Sequence, residues 1–113
     1  MLPEADTIRL KHMLDAADEA ITFIGNRTRA DLDDDHMLSF AVVRAIEIIG
    51  EAANSISSET RGACPDLPWP SIIGMRHRIV HAYFDIDLDR VWETLTDDLP
   101  VLIQRLRTVL QVD

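Results

Sequence analysis

The sequence predicts an all-α fold, an antiparallel four-helix bundle formed by one domain over residues 1–113. Apolar residues recur at spacings of three and four along most of the 113-residue chain, which is typical of amphipathic helices. We identify no alternating pattern of the kind that predicts a strand. Short connections separate the periodic stretches, and helices joined in this way pack as antiparallel neighbours.

The first helix is predicted over Asp6–Ile24. Gly25 is expected to end it, because glycine adopts the left-handed conformation of a helix C-terminus without steric cost. The apolar face of this helix consists of Leu10, Met13, Leu14, Ala17, Ile21 and Ile24.

An acidic stretch, Asp31–Asp35, leads into the second helix. Carboxylates at this position accept backbone N–H groups and face the positive end of the helix dipole. We therefore expect solvated, helix-capping aspartates, and the alternative is an acidic cluster that binds a metal.

The second helix is predicted over Asp35–Ser57. Gly50 lies in its interior, where alanine is normally preferred, and therefore indicates the close approach of another helix. Its polar stripe consists of Arg44, Glu47, Glu51 and Asn54. Its apolar face consists of Leu38, Ala41, Val42, Ala45, Ile48, Ile49, Ala52 and Ile56.

The third helix is predicted over Pro70–Phe84, after a proline-rich loop over Gly62–Pro70. Proline suits the first helical position, where its missing N–H costs nothing. The buried line of this helix is expected to consist of Ile73, Val80 and Phe84.

The fourth helix is expected to begin after its cap, Asp87, and to run to Leu110. Pro100 lies inside it and should kink or locally break it. The core face consists of Val91, Leu95, Leu99, Leu102, Leu106 and Val109.

The formal net charge of −9 argues against broad binding to nucleic acid or membranes, because most of the surface would repel phosphate. Any chemistry on nucleic acid must therefore be local, and the acidic surface suits a basic partner. The single cysteine, Cys64, excludes an intrachain disulfide. We expect no signal peptide, no membrane span and a cytoplasmic location.

Cationic and proton-transferring groups concentrate in RHRIVHAY, residues Arg76–Tyr83. One interpretation is a zinc site, since His77 and His81 are four apart, but two arginines flank them and would disfavour a dication. A second is that each residue is simply solvated or hydrogen-bonded. A third is acid–base catalysis on a phosphodiester, since histidine transfers protons near neutral pH and arginine binds phosphate.

The spacing of Arg76 and His81 favours a homodimer. On one helix the two side chains would lie about 140° and about 7.5 Å apart, so they would not converge. Two third helices packed antiparallel across a twofold axis would bring Arg76 of one copy to His81 of the other. Gly74 would ease such an approach.

Three longer strings resemble the HEPN superfamily, and in particular its HepT-like branch, the toxins of MntA–HepT toxin–antitoxin modules. They are RAIEIIGEAA (residues 44–53), LPWPSIIGMRHRIVHAYFDID (67–87) and VWETLTDDLPVLI (91–103). The resemblance implies a dimeric four-helix bundle whose interface cleft carries an Arg/His motif for metal-independent RNA cleavage.

Residue by residue, the resemblance assigns catalysis to Arg76 and His81, and Tyr83 matches the branch's motif tyrosine. It implies that a minimal nucleotidyltransferase antitoxin, similar to MntA, neutralises the toxin by attaching AMP to this tyrosine. His77 stands where the branch commonly has asparagine, so the identity of the general base stays open. Arg78 and His77 are expected to assist.

Glu47 and Glu51 match the branch's pattern on the second helix. They could orient Arg76 or a histidine, or they could belong to a solvated stripe with an Arg44–Glu47 pair.

The function that these features favour is a ribonuclease toxin that needs no cofactor. The main alternative is a non-catalytic HEPN module that binds nucleotides or presents substrate to a nucleotidyltransferase partner. The sequence leaves open which RNA would be cut.

Overall fold

The fold is a helical bundle in a computed structural model that describes residues 2–112. The predicted all-α class is confirmed, although one short hairpin interrupts the helices. The helices are α1 (Glu4–Ile24), α2 (Arg29–Asp34), α3 (His36–Asn54), α4 (Ser58–Ala63), α5 (Trp69–Ile73), α6 (Met75–Ile79), α7 (Leu88–Glu93) and α8 (Leu99–Leu110). The hairpin pairs β1 (Val80–Ala82) with β2 (Asp85–Ile86), which are antiparallel.

The core lies where α1 packs against α3 and α8. The most deeply buried large side chains include Leu10, Met13, Ile46, Ile49, Leu95, Leu99 and Leu106. Ile46 and Ala53 of α3 are also buried, although neither belongs to the predicted apolar face. None of the helices described over residues 2–112 is long and apolar enough to cross a membrane.

Local interactions end α1 at Gly25 and begin α3 after Asp35, as the sequence predicts, whereas α3 ends at Asn54 and not at the predicted Ser57. Gly25 ends α1 with a φ of +43°, and its N–H donates to the Ile21 carbonyl. The Asp35 carboxylate accepts the Leu38 N–H at 3.1 Å and so caps α3. The expected capping role of the acidic stretch is confirmed there, and the connection itself contains the short helix α2, which we did not predict.

Gly50 marks the contact between α3 and α5, so the predicted close approach of another helix is confirmed. The glycine is buried, and a Cβ atom placed on it would lie 3.5 Å from the Ile72 carbonyl oxygen. The α5 backbone can therefore lie directly on α3.

The prediction of one continuous third helix over Pro70–Phe84 is wrong. Gly74 separates α5 from α6, and the chain becomes extended at Val80, where φ is −114° and ψ is 104°. The expected buried line is also wrong, since Phe84 is exposed and Ile73 and Val80 are only half-buried. The side chains buried instead are Ile72, Met75 and Ile79.

The hairpin follows an alternation in the sequence that we overlooked. Apolar residues occupy positions 80, 82, 84 and 86, and polar residues occupy 81, 83, 85 and 87. Such a period of two is typical of a strand with one buried face. Val80 and Ile86 accordingly pack against the core, whereas His81 and Asp85 are exposed. The Asp87 N–H donates to the Ile79 carbonyl at 2.8 Å and closes the hairpin onto the end of α6.

The last helical stretch begins at its predicted cap, since the Asp87 carboxylate accepts the Arg90 N–H at 3.1 Å. The predicted disturbance near Pro100 is confirmed as a π-helical turn over Thr94–Asp98, in which the Leu99 N–H reaches the Thr94 carbonyl. A wider turn accommodates a proline ring that an α-helix would force against the preceding turn.

A buried carboxylate joins the start of α1 to the start of α4. Asp6 accepts hydrogen bonds from the hydroxyls of Ser57 and Thr60, each at 2.6 Å, and from the Ser57 N–H at 3.2 Å. The Ser57 and Thr60 hydroxyls hold the pKa of Asp6 below its ordinary value, because they stabilise the ionised form.

Replacing Asp6 by Asn should lower the free energy of unfolding, and the loss should depend on pH. The folded state holds the pKa of Asp6 below the ordinary 3.8, so its contribution is complete above that pH and disappears as the pH falls through the folded value. Urea unfolding at neutral pH and near pH 3 should therefore give a difference between wild type and Asp6→Asn that shrinks in acid. Asp15→Asn, on the exposed face of α1, is the control, and a difference independent of pH would contradict this account.

Candidate active site

The predicted site residues lie on α6 and on the hairpin that follows it. Burial of Met75 and Ile79 turns Arg76 and His77 to the surface and leaves Arg78 half-buried. His81 lies on β1 and Tyr83 at the tip of the hairpin. His81, which we expected on a helix, is therefore in a strand, and Tyr83 is in the turn that follows it. The predicted four-residue helical spacing of His77 and His81 does not form.

Glu47 of α3 holds Arg76 through one atom only. The Arg76 Nε donates to the Glu47 Oε2 at 3.2 Å, and the two terminal amino groups of the guanidinium make no hydrogen bond within residues 2–112. Arg44 contacts Glu51 at 3.5 Å, so the alternative Arg44–Glu47 pair is not formed. An ion pair this exposed stabilises the fold by at most about 1 kcal/mol. Its main effect is to orient a guanidinium whose two amino groups remain free to bind an anion.

Arg76 stands between two surface grooves. The smaller one, which we call the polar groove, has a volume of about 240 Å³. It brings His77 beside the polar stripe of α3, and its lining consists of Glu47, Gly50, Glu51, Asn54, Ile73, Arg76 and His77. His77 is thus near Arg76, in a groove whose lining includes no residue of the hairpin.

The larger groove, which we call the aromatic groove, has a volume of about 660 Å³. It runs from α3 to the hairpin and includes Phe40, Arg76, Tyr83 and Phe84. Tyr83 and Phe84 meet edge to face with ring centroids 5.3 Å apart, and their side chains are 94% and 78% exposed. The polar groups that line this groove are Asp33, His36, Ser39, Glu47 and Arg76.

His81 lies beside Asp85 on the hairpin. Its Nδ1 lies 3.5 Å from the Asp85 Oδ2, and both side chains are more than half exposed. His81 is not among the residues that line the aromatic groove, although its neighbour Val80 is. Within residues 2–112 of one copy, no hydrogen bond or ion pair joins Arg76 to His81.

Arg78 lies in a cleft separate from the polar and aromatic grooves. It donates to the Ser71 carbonyl at 2.9 Å and lines a cleft of about 490 Å³ with Asp97, Asp98 and Arg105. The structure therefore separates Arg78 from Arg76, although the two are only two residues apart.

Sequence reasoning gave no role to Asp85, the carboxylate beside His81. The signal was available, because residues 81 and 85 both fall on the polar side of the alternation over residues 80–87. The structure offers little support for catalysis by a cysteine or by a bound metal. Burial raises the pKa of the Cys64 thiol, which disfavours the reactive thiolate. No cluster of three or more His, Cys, Asp or Glu side chains within residues 2–112 is arranged to hold a metal.

Comparisons with known proteins find that the chain is similar to proteins named as ribonucleases. The family described as "Ribonuclease HepT-like" matches residues 13–109. "Probable ribonuclease HepT" of Thermococcus cleftensis is 38% identical over 96 residues, which cover 81% of this chain and 87% of that protein. "Putative RNase MJ1380" of Methanocaldococcus jannaschii is 32% identical over 100 residues, which cover 88% of this chain and 92% of that protein. No solved structure matches the chain.

Proposed function

The chain belongs to the HepT-like ribonuclease family, and from this premise we propose that it is an endoribonuclease whose site uses Arg76 and His81. The orientation of Arg76 supports this function most directly. A permanent cation with both terminal amino groups free is held beside two grooves on a chain whose net charge is −9. Such a group can bind a phosphodiester locally, where the rest of the surface repels it.

The reaction that these groups suit is attack by the RNA's own 2′-hydroxyl. Its oxygen bonds to the adjacent phosphorus, the bond from phosphorus to the 5′-oxygen breaks, and a 2′,3′-cyclic phosphate and a 5′-hydroxyl result. One proton must leave the 2′-oxygen and one must reach the 5′-oxygen, and His81 can serve either transfer. Asp85, 3.5 Å from Nδ1, would favour a proton on that nitrogen and leave Nε2 to act as the base. Arg76 would stabilise the charge on the phosphorane, and no step requires a metal.

We propose that two copies complete each site. In one copy Arg76 lines the aromatic groove whereas His81 does not, and the two side chains have separate partners, Glu47 and Asp85. We therefore expect that one copy does not present both groups to the same phosphate. A twofold pair that brings Arg76 of one copy to His81 of its partner would form two equivalent sites. His77, in the polar groove beside Arg76, would assist on the ribose side. Arg78, which lies in a separate cleft, would contact RNA farther along.

We also propose that the protein is the toxin of a toxin–antitoxin module, controlled at Tyr83 in the cytoplasm. Tyr83 projects from the hairpin tip with its side chain 94% exposed, so a nucleotidyltransferase antitoxin could reach it. Its hydroxyl oxygen would attack the α-phosphorus of ATP, forming the Tyr83–AMP ester and releasing pyrophosphate. The new phosphate and adenosine would lie in the groove that also contains Arg76 and would exclude the substrate phosphate.

Replacing His81 by Ala should abolish RNA cleavage without unfolding the protein. The side chain is exposed and makes no core contact, and loss of a general acid or base typically slows a reaction by about 10²–10⁴-fold. The rate of cleavage of a labelled RNA measures the effect, and circular dichroism checks the fold. The control is His12→Ala, an exposed histidine on α1. Cleavage by His81→Ala at the wild-type rate would refute the catalytic role.

Incubation with ATP and the proposed nucleotidyltransferase antitoxin should add AMP to the protein and stop cleavage. The chain contains one tyrosine, so Tyr83→Phe should remove every tyrosine-linked adduct. Intact-mass measurement of the wild type and Tyr83→Phe, with and without the transferase, shows whether AMP is attached to Tyr83. An AMP adduct that persists on Tyr83→Phe would place the modification elsewhere. A wild-type protein that accepts AMP but never cuts RNA would instead indicate the non-catalytic module.

A further inference from the structure

The aromatic groove collects the most exposed aromatic side chains of the protein. Tyr83, Phe84 and Phe40 are 94%, 78% and 76% exposed, and all three line it. Met37, one turn before Phe40 on α3, is 84% exposed. The other large apolar side chains that are exposed within residues 2–112, such as Phe23 at 42%, reach less than half exposure. Exposed rings gathered in one place indicate a binding surface.

Four aromatic rings line this groove, those of His36, Phe40, Tyr83 and Phe84. His36 and Phe40 lie nearly parallel, with 12° between their planes and 6.4 Å between their centroids. On the hairpin side of the groove, Tyr83 and Phe84 meet edge to face, and both are largely exposed. Flat aromatic faces beside a cation are the means by which proteins bind unpaired nucleobases.

The position of Arg76 ties this surface to the proposed chemistry. Arg76 lines the same groove, so an RNA whose phosphate contacts its guanidinium would place a neighbouring base near the rings. A volume of about 660 Å³ lies within the range of small-molecule sites and can hold a nucleotide. Asp33, His36 and Ser39 supply polar groups that can meet the edge of a base.

We propose that the aromatic groove is a stacking subsite for an unpaired RNA base next to the cleaved phosphate. The proposal rests on the ribonuclease function and specifies its substrate class as single-stranded RNA. A base inside a duplex is covered on both faces by its neighbours, whereas an unpaired base is free to stack on Phe40 or Phe84. Stacking also adds affinity that does not depend on charge, which an acidic protein needs.

The inference can be tested by binding, with the His81→Ala protein as a non-cleaving form. The probe is a short single-stranded RNA containing 2-aminopurine, whose fluorescence falls when the base stacks. We expect fluorescence to fall on binding, and Phe84→Ala or Phe40→Ala to weaken binding by about 5- to 100-fold. Phe84→Tyr should retain most of it, and Phe23→Ala on α1 should have no effect. An RNA abasic at the probe position should bind the unsubstituted groove as weakly as the alanine variants bind intact RNA.

Two results would overturn this subsite. One is equal binding of the abasic and intact RNA. The other is a change of oligomeric state, measured by sedimentation on the same samples, that accounts for the loss of binding in Phe40→Ala and Phe84→Ala. The groove would then be a surface where two copies meet. Cleavage of the unmodified RNA by the wild type is measured separately. Its failure contradicts the ribonuclease proposal, whereas successful cleavage with equal binding rejects the stacking subsite alone.

Discussion

The burial of Met75 and Ile79 under α6 is the constraint on which the candidate site depends. Both side chains are almost fully buried, and the Gly74 junction lets α6 turn independently of α5. With these two residues in the core, Arg76 must face α3, where Glu47 holds it, and Arg78 must lie on the other side, against Ser71. The helix then ends, because the next apolar residues follow a period of two. The burial of Met75 and Ile79 therefore sets the directions of Arg76 and Arg78. The end of α6 then places His81 on a strand.

The parts of the fold that local chemistry controls could be predicted from the sequence. Gly25, Asp35 and Asp87 end or begin helices through contacts within a few residues, so their sequence context suffices. The third helix could not be predicted in the same way. Over residues 70–84 the helical and strand periods coincide at several apolar positions, and only packing against the core decides between them.

The candidate site also has features that the sequence predicts and features that depend on packing. The choice of residue types came from the sequence, because arginine, histidine and tyrosine so close together in an acidic chain are unusual. The partner of Glu47 required the tertiary structure, since spacing along α3 suggests Arg44, whereas the pair that forms joins Glu47 to Arg76 on α6. The exposure of Phe84 also required it, because a helix would have buried that ring, whereas the hairpin projects it into solvent. The candidate RNA-binding surface is therefore local. It consists of the oriented cation Arg76 and the rings of the aromatic groove, and not of a broad basic surface.

The central claim is that Arg76 and His81 act on the same phosphate from different copies of the chain. Mixing Arg76→Ala and His81→Ala proteins, each inactive alone, under conditions that exchange subunits tests this most directly. Half of the resulting dimers would be mixed, and each mixed dimer would contain one site with both groups intact. The account predicts that cleavage of a labelled RNA returns to about a quarter of the wild-type rate. A mixture as inactive as its components, although its subunits have exchanged, would contradict it.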